Sequence, residues 1–464
     1  MRFVQLTPGT GNFYCGNCVR DHALVKALGE LGVKGLLAPM YLPVVADEDP
    51  PADARAGVEA VGSYGTRAED AADIAGREEV VFGGVNAYLQ QKLAIFRHTP
   101  AWIDRLFNAR WLLRLASKKA SMTQARDLGE MTLSMLRGEE GRQAKELRRL
   151  AAWLRAEHRP QVVGLSNLLL AGLAGPLKRA LGVPVVVTMH GEDAFLDSLP
   201  SPDRERAWET LARACRDVDA FIAVSGYYGG EMSRRLGLES GRVHVVHNGV
   251  SFDDYPAAAA RATPPNAGAP VLGYLARMCH GKGLHTLVEA FILLKRGGEF
   301  PGLRLHVAGT KTRADDAYIA QQRGRLEAAG LAGEALFLPN LSRSDKLRFL
   351  HELSLLSVPA HYGESFGLYV VEAWGAGVPV VQPRHAAFPE LIEATGGGLL
   401  FEVENPASLA AAASSLLRDE GLRRSMGERA RALAMERFSS QAMARGVLRV
   451  LESVSRPIPT GPGA

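Results

Sequence analysis

The stretch whose reading decides the fold is Pro359-Ala-His-Tyr-Gly-Glu364-Ser-Phe-Gly-Leu-Tyr-Val-Val-Glu372-Ala-Trp-Gly-Ala-Gly-Val-Pro-Val-Val381. An apolar run, Leu355–Pro359, enters it as a strand. A short glycine-bearing loop follows, the pattern predicts a helix from about Ser365, and a second strand begins at Pro379. Strand, loop, helix and strand in this order form one unit of an open parallel sheet, which binds ligands beyond the carboxyl ends of its strands. The N–H groups at the start of such a helix favour phosphate oxygens. Glu364 stands at the helix mouth and Glu372 about two turns further in. At that spacing the two acids do not share one face, so they are expected to meet different parts of one extended ligand. Glu372 suits ribose hydroxyls and Glu364 a sugar. Either acid taken alone also suits an ordinary helix position, and only the combination points to a site.

Working upstream, Gly273-Tyr-Leu-Ala-Arg277-Met-Cys-His-Gly281-Lys282-Gly283-Leu-His-Thr-Leu-Val-Glu-Ala290 repeats the arrangement. A strand ends before Arg277, a loop carries Lys282-Gly283, and a helix follows. Two cations at a strand-to-helix turn suit a diphosphate, because arginine can engage two oxygens at once and lysine acts as a point charge.

Further out, short β-branched runs alternate with helical patterns along the chain. Phe3–Thr7, Gly35–Pro39, Gln161–Leu165, Pro184–Met189, Ala220–Ser225 and Val243–His247 form one series. Val271–Ala276, Leu303–Ala308, Ala335–Pro339, Leu355–Pro359, Pro379–Gln382 and Leu399–Glu402 form another. Apolar strands separated by helices read as parallel sheets covered on both faces. The expected fold class is therefore α/β, with two Rossmann-like doubly wound domains. The Pro- and Ala-rich segment 256–270 reads as the linker. The domains are placed at 1–262 and 263–438, followed by a closing helix over 439–455 and a disordered tail over 456–464.

One stretch breaks the alternation. Residues 88–155 carry helix formers with almost no strand signal and read as a helical insertion in the first domain. Its centre holds Arg97, Arg105, Arg110, Arg114, Lys118, Lys119 and Arg126 against one acid, Asp104. The plain reading is a helix with a solvated basic face; peripheral contact with an anionic membrane is the second reading.

The chain has 464 residues and 47 % hydrophobic and 22 % charged side chains, and its formal net charge is +4. The charge is too mild to argue for nucleic acid. No apolar run approaches the roughly 20 residues of a transmembrane helix. The opening residues lead straight into a strand, without a signal-peptide pattern, so the expected setting is cytoplasmic. Among the four cysteines, Cys15 and Cys18 form a close pair without a second pair to complete a zinc site, and they read as packing thiols.

Together, Arg277 with Lys282-Gly283, then Glu364 and Glu372, then Gly375-Ala-Gly377-Val-Pro379-Val-Val, resemble the family 4 retaining glycosyltransferases of GT-B fold. The match covers the second half of the chain, with a weaker one in the first. The resemblance implies two domains facing a cleft and transfer of a sugar from a nucleoside-diphosphate sugar with retention at the anomeric carbon. It implies that Glu364 meets the donor sugar, Glu372 the ribose, and Arg277 and Lys282 the diphosphate. Gly363, Ser365, Phe366 and Gly367 would supply loop contacts. Gly9 and Gly11 would lie under the donor phosphates and acceptor; their spacing is not that of a dinucleotide loop. His190, at the end of strand Pro184–Met189, would stand near the sugar or the acceptor hydroxyl, with Glu192 and Asp193 as weaker candidates for orienting the acceptor. His247-Asn248-Gly249-Val250 reads as a structural turn. The resemblance further implies that no metal ion and no cofactor take part, and that the acceptor is a carbohydrate, a lipid-linked molecule or a small molecule. Two rival readings stand beside this one. An epimerase or phosphorylase on the same architecture would differ in its products. A sugar-nucleotide sensor would bind donor without turnover.

Overall fold

The computed structural model describes residues 1–8, 16–40, 125–255 and 269–455. They divide into two units. The first holds the described residues of Met1–Val224, Gly229–Val246 and Ala444–Ala464, and the second holds those of Ser225–Tyr228 and His247–Met443. The last helix, Ser440–Ser455, passes from one to the other at Ala444.

In the first unit, strands β1 (Arg2–Thr7), β2 (Lys34–Pro39), β3 (Val162–Leu165), β4 (Val185–Met189), β5 (Ala220–Ala223) and β6 (Val243–Val245) pair in the order β2-β1-β3-β4-β5-β6, all parallel. The inner strands are apolar on both faces: β3, β4 and β5 are buried along their whole length. Such continuous burial is the signature of a parallel sheet clothed by crossover helices.

In the second unit, β7 (Val271–Leu275), β8 (Arg304–Gly309), β9 (Ala335–Pro339), β10 (Leu355–Leu356), β11 (Val380–Pro383) and β12 (Gly398–Phe401) take the order β12-β11-β10-β7-β8-β9, again all parallel. The core of this unit gathers around Trp374, which is fully buried and donates its indole N–H to Gly397 O at 2.9 Å.

In each sheet the chain order reverses once: between β1 and β3 in the first, and between β7 and β10 in the second. The loops leaving the two strands at such a point diverge to opposite faces of the sheet and open a crevice between them. Both stretches singled out in the sequence leave strands at the second reversal: Arg277–Gly283 follows β7 and Pro359–Gly367 follows β10.

Several boundaries differ from the sequence reading, for local reasons. Strand β10 ends at Leu356 and does not reach Pro359. Ser357 N still donates to Gly273 O at 2.9 Å, but Val358 N turns to the side chain of Gln382 at 3.2 Å, which stops the ladder. The helix expected from Ser365 begins at Leu368, because Gly367 takes φ 89°, a left-handed conformation that no residue inside a helix adopts. Asn248 and Gly249 are not turn residues. Neither has positive φ, and the chain runs extended into a bridge between Val250 and Ser439. A glycine is needed there for close approach, since a Cβ on Gly249 would stand 2.4 Å from Ser439 O.

The described part of the expected insertion is helical: Ala125–Leu136 and Ala144–Trp153, continued by a wider turn over Leu154–His158. Of its basic centre, Arg97 to Arg126, the residues up to 124 and the side chain of Arg126 lie outside the described residues, as do the loop with Gly9, Gly11 and Cys15, most of the linker, the tail and the side chain of Cys18. No helix among the described residues is long and apolar enough to cross a membrane.

Candidate active site

The site in the second unit is built where two loops are laced together. After β7 the chain makes a tight turn over His280–Lys282, and Gly283 at φ 72° opens helix Leu284–Arg296. A Cβ on Gly283 would stand 1.9 Å from Pro359 O, so only glycine lets the two loops pass at this distance. His361 completes the lacing: its N–H donates to Gly281 O at 3.3 Å and its ring Nε2 lies 3.1 Å from His280 O.

Lacing brings Lys282 onto Glu364. The ammonium is paired with Glu364 Oε2, and the two side chains are 18 % and 11 % exposed. Tyr369 donates its hydroxyl to the same oxygen at 2.9 Å and Tyr362 at 3.3 Å. The ammonium also lies 4.9 Å and 5.4 Å from the ring centres of these tyrosines. Burial would push the lysine down, but the Glu364 charge overrides it and holds the ammonium above its ordinary value. Burial first, and the Glu364 charge after it, push both tyrosine hydroxyls up, so they remain protonated donors. The sequence reading assigned the two ions to separate parts of a ligand; the structure pairs them.

Arg277 is half-exposed, and Asp315 holds it through both Nε and Nη2 at 3.1–3.3 Å. Asp315 is in turn fixed by the N–H and hydroxyl of Thr312, both at 2.8 Å. Burial opposes its charge, and these donors together with Arg277 hold its carboxyl below the usual range. Glu372 is paired with Lys346 at 3.0 Å. Nothing in the sequence pattern signalled Asp315 or Lys346, because each reaches the site from a distant helical turn. Tyr362 and Tyr369 lay inside the quoted stretch but carried no motif of their own.

The remaining loop residues have defined tasks. Ser365 O accepts the hydroxyl of Ser225 at 2.6 Å. Phe366 is 2 % exposed and packs on Phe438 and His247. Gly363 leaves room for Tyr227, whose hydroxyl would stand 2.7 Å from a Cβ there. His247 meets Glu390 at 2.8 Å, and Glu390 also accepts Gly226 N and Tyr227 N, so this histidine anchors a loop.

In the first unit, His190 directly follows β4 at the carboxyl end of the sheet. Burial, and then the nearby Arg20 charge, keep its imidazole well below the ordinary histidine value, so it is neutral. Glu192 has another use than orienting an acceptor. One carboxylate oxygen accepts Leu168 N at 3.0 Å, and the other accepts His190 N at 2.8 Å and Gly191 N at 3.0 Å. It ties the loop after β3 to the loop after β4. Among the described residues no group of three or more His, Cys, Asp or Glu side chains is arranged to hold a metal ion.

The neutral state of His190 has a measurable consequence. Near pH 7 neither the folded nor the unfolded chain protonates this group. As pH falls through the ordinary value of about 6.5, the unfolded chain takes the proton first, so stability is lost at about 1.4 kcal/mol per pH unit. His158, His285 and His306 are lowered as well and act in the same direction. Stability from denaturant titrations is expected to fall between pH 7 and pH 5, and His190→Asn to reduce the slope by about one proton. An unchanged slope contradicts the neutral assignment.

Residues 258–433 match the family model described as glycosyl transferases group 1, and residues 89–254 match glycosyltransferase family 4. The chain is 28 % identical over 308 residues to a glycogen synthase of Mycobacterium tuberculosis, covering 64 % of this chain and 70 % of that one. It is 28 % identical over 280 residues to a D-inositol 3-phosphate glycosyltransferase of Mycobacterium sp. strain KMS, covering 58 % of this chain and 62 % of the relative. Among solved structures, sucrose-phosphate synthase from Thermosynechococcus elongatus superposes with a TM-score of 0.66 at 17 % identity, over 97 % of this chain and 98 % of that one. Anabaena HepE, solved in complex with UDP and glucose, superposes with a TM-score of 0.65 at 15 % identity, over 98 % and 100 % of the two chains. At these identities the structural likeness speaks to the fold alone.

Proposed function

The chain is a family 4 glycosyltransferase of GT-B fold, and from that premise we propose that it moves a sugar from a nucleoside-diphosphate sugar to a hydroxyl acceptor with retention of anomeric configuration. One observation carries the reading: Arg277, Lys282 and the start of helix Leu368–Gly375 belong to the two loops at the reversal of the second sheet. The sequence relatives support it, since they include a glycogen synthase and a D-inositol 3-phosphate glycosyltransferase.

The chemistry follows from where charge appears. When the C1–O bond of the donor breaks, its bonding electrons pass to the diphosphate. Fixed cations and helix N–H groups stabilise that charge without reorganising. Arg277 is preset by Asp315, and Lys282 carries three donors that it can share between Glu364 and a phosphate oxygen. With the leaving group assigned to these side chains and helix N–H groups, the proposal includes neither a metal ion nor a cofactor. Glu372, steadied by Lys346, accepts the ribose hydroxyls, and Glu364 faces the sugar. Gly363, Ser365, Phe366 and Gly367 shape the donor loop. Gly9 and Gly11 keep the phosphate role that the resemblance gives them. The acceptor oxygen attacks C1 on the face the diphosphate leaves, and its proton passes to the departing phosphate oxygen. His190, as a neutral imidazole, accepts a hydrogen bond from the sugar or the acceptor. The setting is cytoplasmic, and the basic stretch Arg97–Arg126 is the segment that would meet an anionic membrane.

The test is a panel of nucleotide sugars, with nucleoside diphosphate release and donor binding followed in wild type and Glu372→Gln. Expected are release with at least one donor and a donor KM raised about tenfold in the variant, the order of one lost hydrogen bond to a charged group. Identical kinetics in the two proteins would sink the assignment. Binding of donor without release over any acceptor would favour a sensor.

A further inference from the structure

The reversal point of the first sheet carries a buried ion pair that the donor chemistry leaves unused. Arg20 and Asp21, early in helix Gly16–Glu30, are 2 % and 0 % exposed. Arg20 Nη1 donates to Asp21 Oδ1 at 2.7 Å. The remaining groups of the pair, Nε and Nη2 of Arg20 and Oδ2 of Asp21, have no hydrogen-bond partner among the described residues. Burial raises the Asp21 carboxyl above its ordinary value, and Arg20, then Ser166 just beyond β3 and Gln5 on β1, oppose that rise. Gln5 Nε2 is likewise unmet, and Gly164 is what lets this amide lie across β3, since a Cβ there would stand 2.2 Å from Gln5 Oε1. The cluster thus sits between β1 and β3, at the reversal where open parallel sheets take ligands. His190, assigned to the sugar or the acceptor, follows β4, the neighbour of β3 in the sheet; burial, and after it the Arg20 charge, lower its imidazole.

The unmet atoms define a chemistry. A buried polar atom left without a partner costs about 1–3 kcal/mol, and more when it is charged. The Arg20 charge is already balanced by Asp21, so an arriving anion would meet a carboxylate. A hydroxyl both donates and accepts: it can give its proton to Asp21 Oδ2 and receive one from Arg20 Nε or Nη2.

We propose that Arg20 and Asp21 recognise neighbouring hydroxyl groups of an uncharged sugar or polyol, which is the acceptor of the transfer. This rests on the proposed function for the word acceptor, and on the buried cluster for the chemistry. Asp21 then sets selectivity: a phosphate or carboxylate on this part of the acceptor is rejected by the carboxylate beside it.

The experiment uses the full chain with UDP present. Saturation-transfer NMR compares maltose, myo-inositol and methyl α-glucoside with glucose 6-phosphate and inorganic phosphate. At least one uncharged probe is expected to bind, and its affinity to fall about tenfold in Asp21→Asn and Arg20→Gln, the order for one hydrogen bond to a charged group. The proposal is overturned if no uncharged probe binds, if the phosphate-bearing probes bind instead, or if both variants bind as wild type does. Should a variant not fold, hydrogen exchange on wild type decides: the bound probe must slow exchange in peptides spanning 16–30 and 166–173, and unchanged exchange there overturns the proposal. Binding of UDP, ADP and GDP is followed in parallel by calorimetry. Failure of wild type to bind any of UDP, ADP and GDP counts against the proposed function, whereas failure of the sugar probes alone counts against this inference.

Discussion

Replacing Lys282 by alanine is expected to lower sugar transfer by about 10²–10³-fold, the effect of removing one preorganised group that stabilises developing negative charge. The loss should fall mainly on kcat, because the charge the lysine meets grows as the diphosphate departs. Binding of the nucleoside diphosphate should weaken as well, since the product carries that charge in full. Lys282→Arg is expected to rescue little. The ammonium lies over the rings of Tyr362 and Tyr369 and is paired with Glu364, and a planar guanidinium cannot take this place as a point charge does. Breaking a buried ion pair costs about 3–5 kcal/mol when the remaining charge is stranded. Here Glu364 keeps the hydroxyls of Tyr362 and Tyr369, so the cost to folding should fall below that range. Transfer rates and a thermal melt on the same sample separate the two effects. Wild-type rates in Lys282→Ala would remove this lysine from the chemistry.

Glu192→Ala is expected to be the most damaging substitution for the first unit. The carboxylate accepts the N–H groups of Leu168, His190 and Gly191, and the residue is 6 % exposed. Hydrogen bonds to a charged group contribute about 1.5–3 kcal/mol each. Because they share one side chain, their joint loss is better put at about 3–5 kcal/mol, the range for breaking a buried charged network. Glu192→Gln keeps the shape and one acceptor, and should recover part of the loss. Equilibrium unfolding reads both variants. A destabilisation of Glu192→Ala below about 1 kcal/mol would show that the loops are held by other means. Loss of the bond from His190 N is also expected to displace His190 and lower transfer, which acceptor kinetics in Glu192→Gln would reveal.

The sequence by itself determined the alternation of strands and helices and singled out the two stretches to which we assign the donor chemistry. Continuous apolar runs such as Val185–Met189 and Val271–Leu275 have a single stable use, as parallel strands buried on both faces, so local pattern was enough. Arg277, Lys282, Glu364 and Glu372 stood out as a combination on two strand–loop–helix units, since each alone also suits an ordinary helix or loop position. What only the tertiary structure decided were the partnerships. Lys282 meets Glu364 across 82 residues and Arg277 meets Asp315 across 38. Lys346 reaches Glu372 across 26 residues. Glu192, expected to face a ligand, was taken up by three backbone N–H groups that exist as a set only once β3 and β4 lie side by side. The physical reason is the same throughout. Strand and helix periodicity is written in neighbours along the chain, whereas the partner of a buried charge is chosen by what the folded sheet brings within about 3 Å of it.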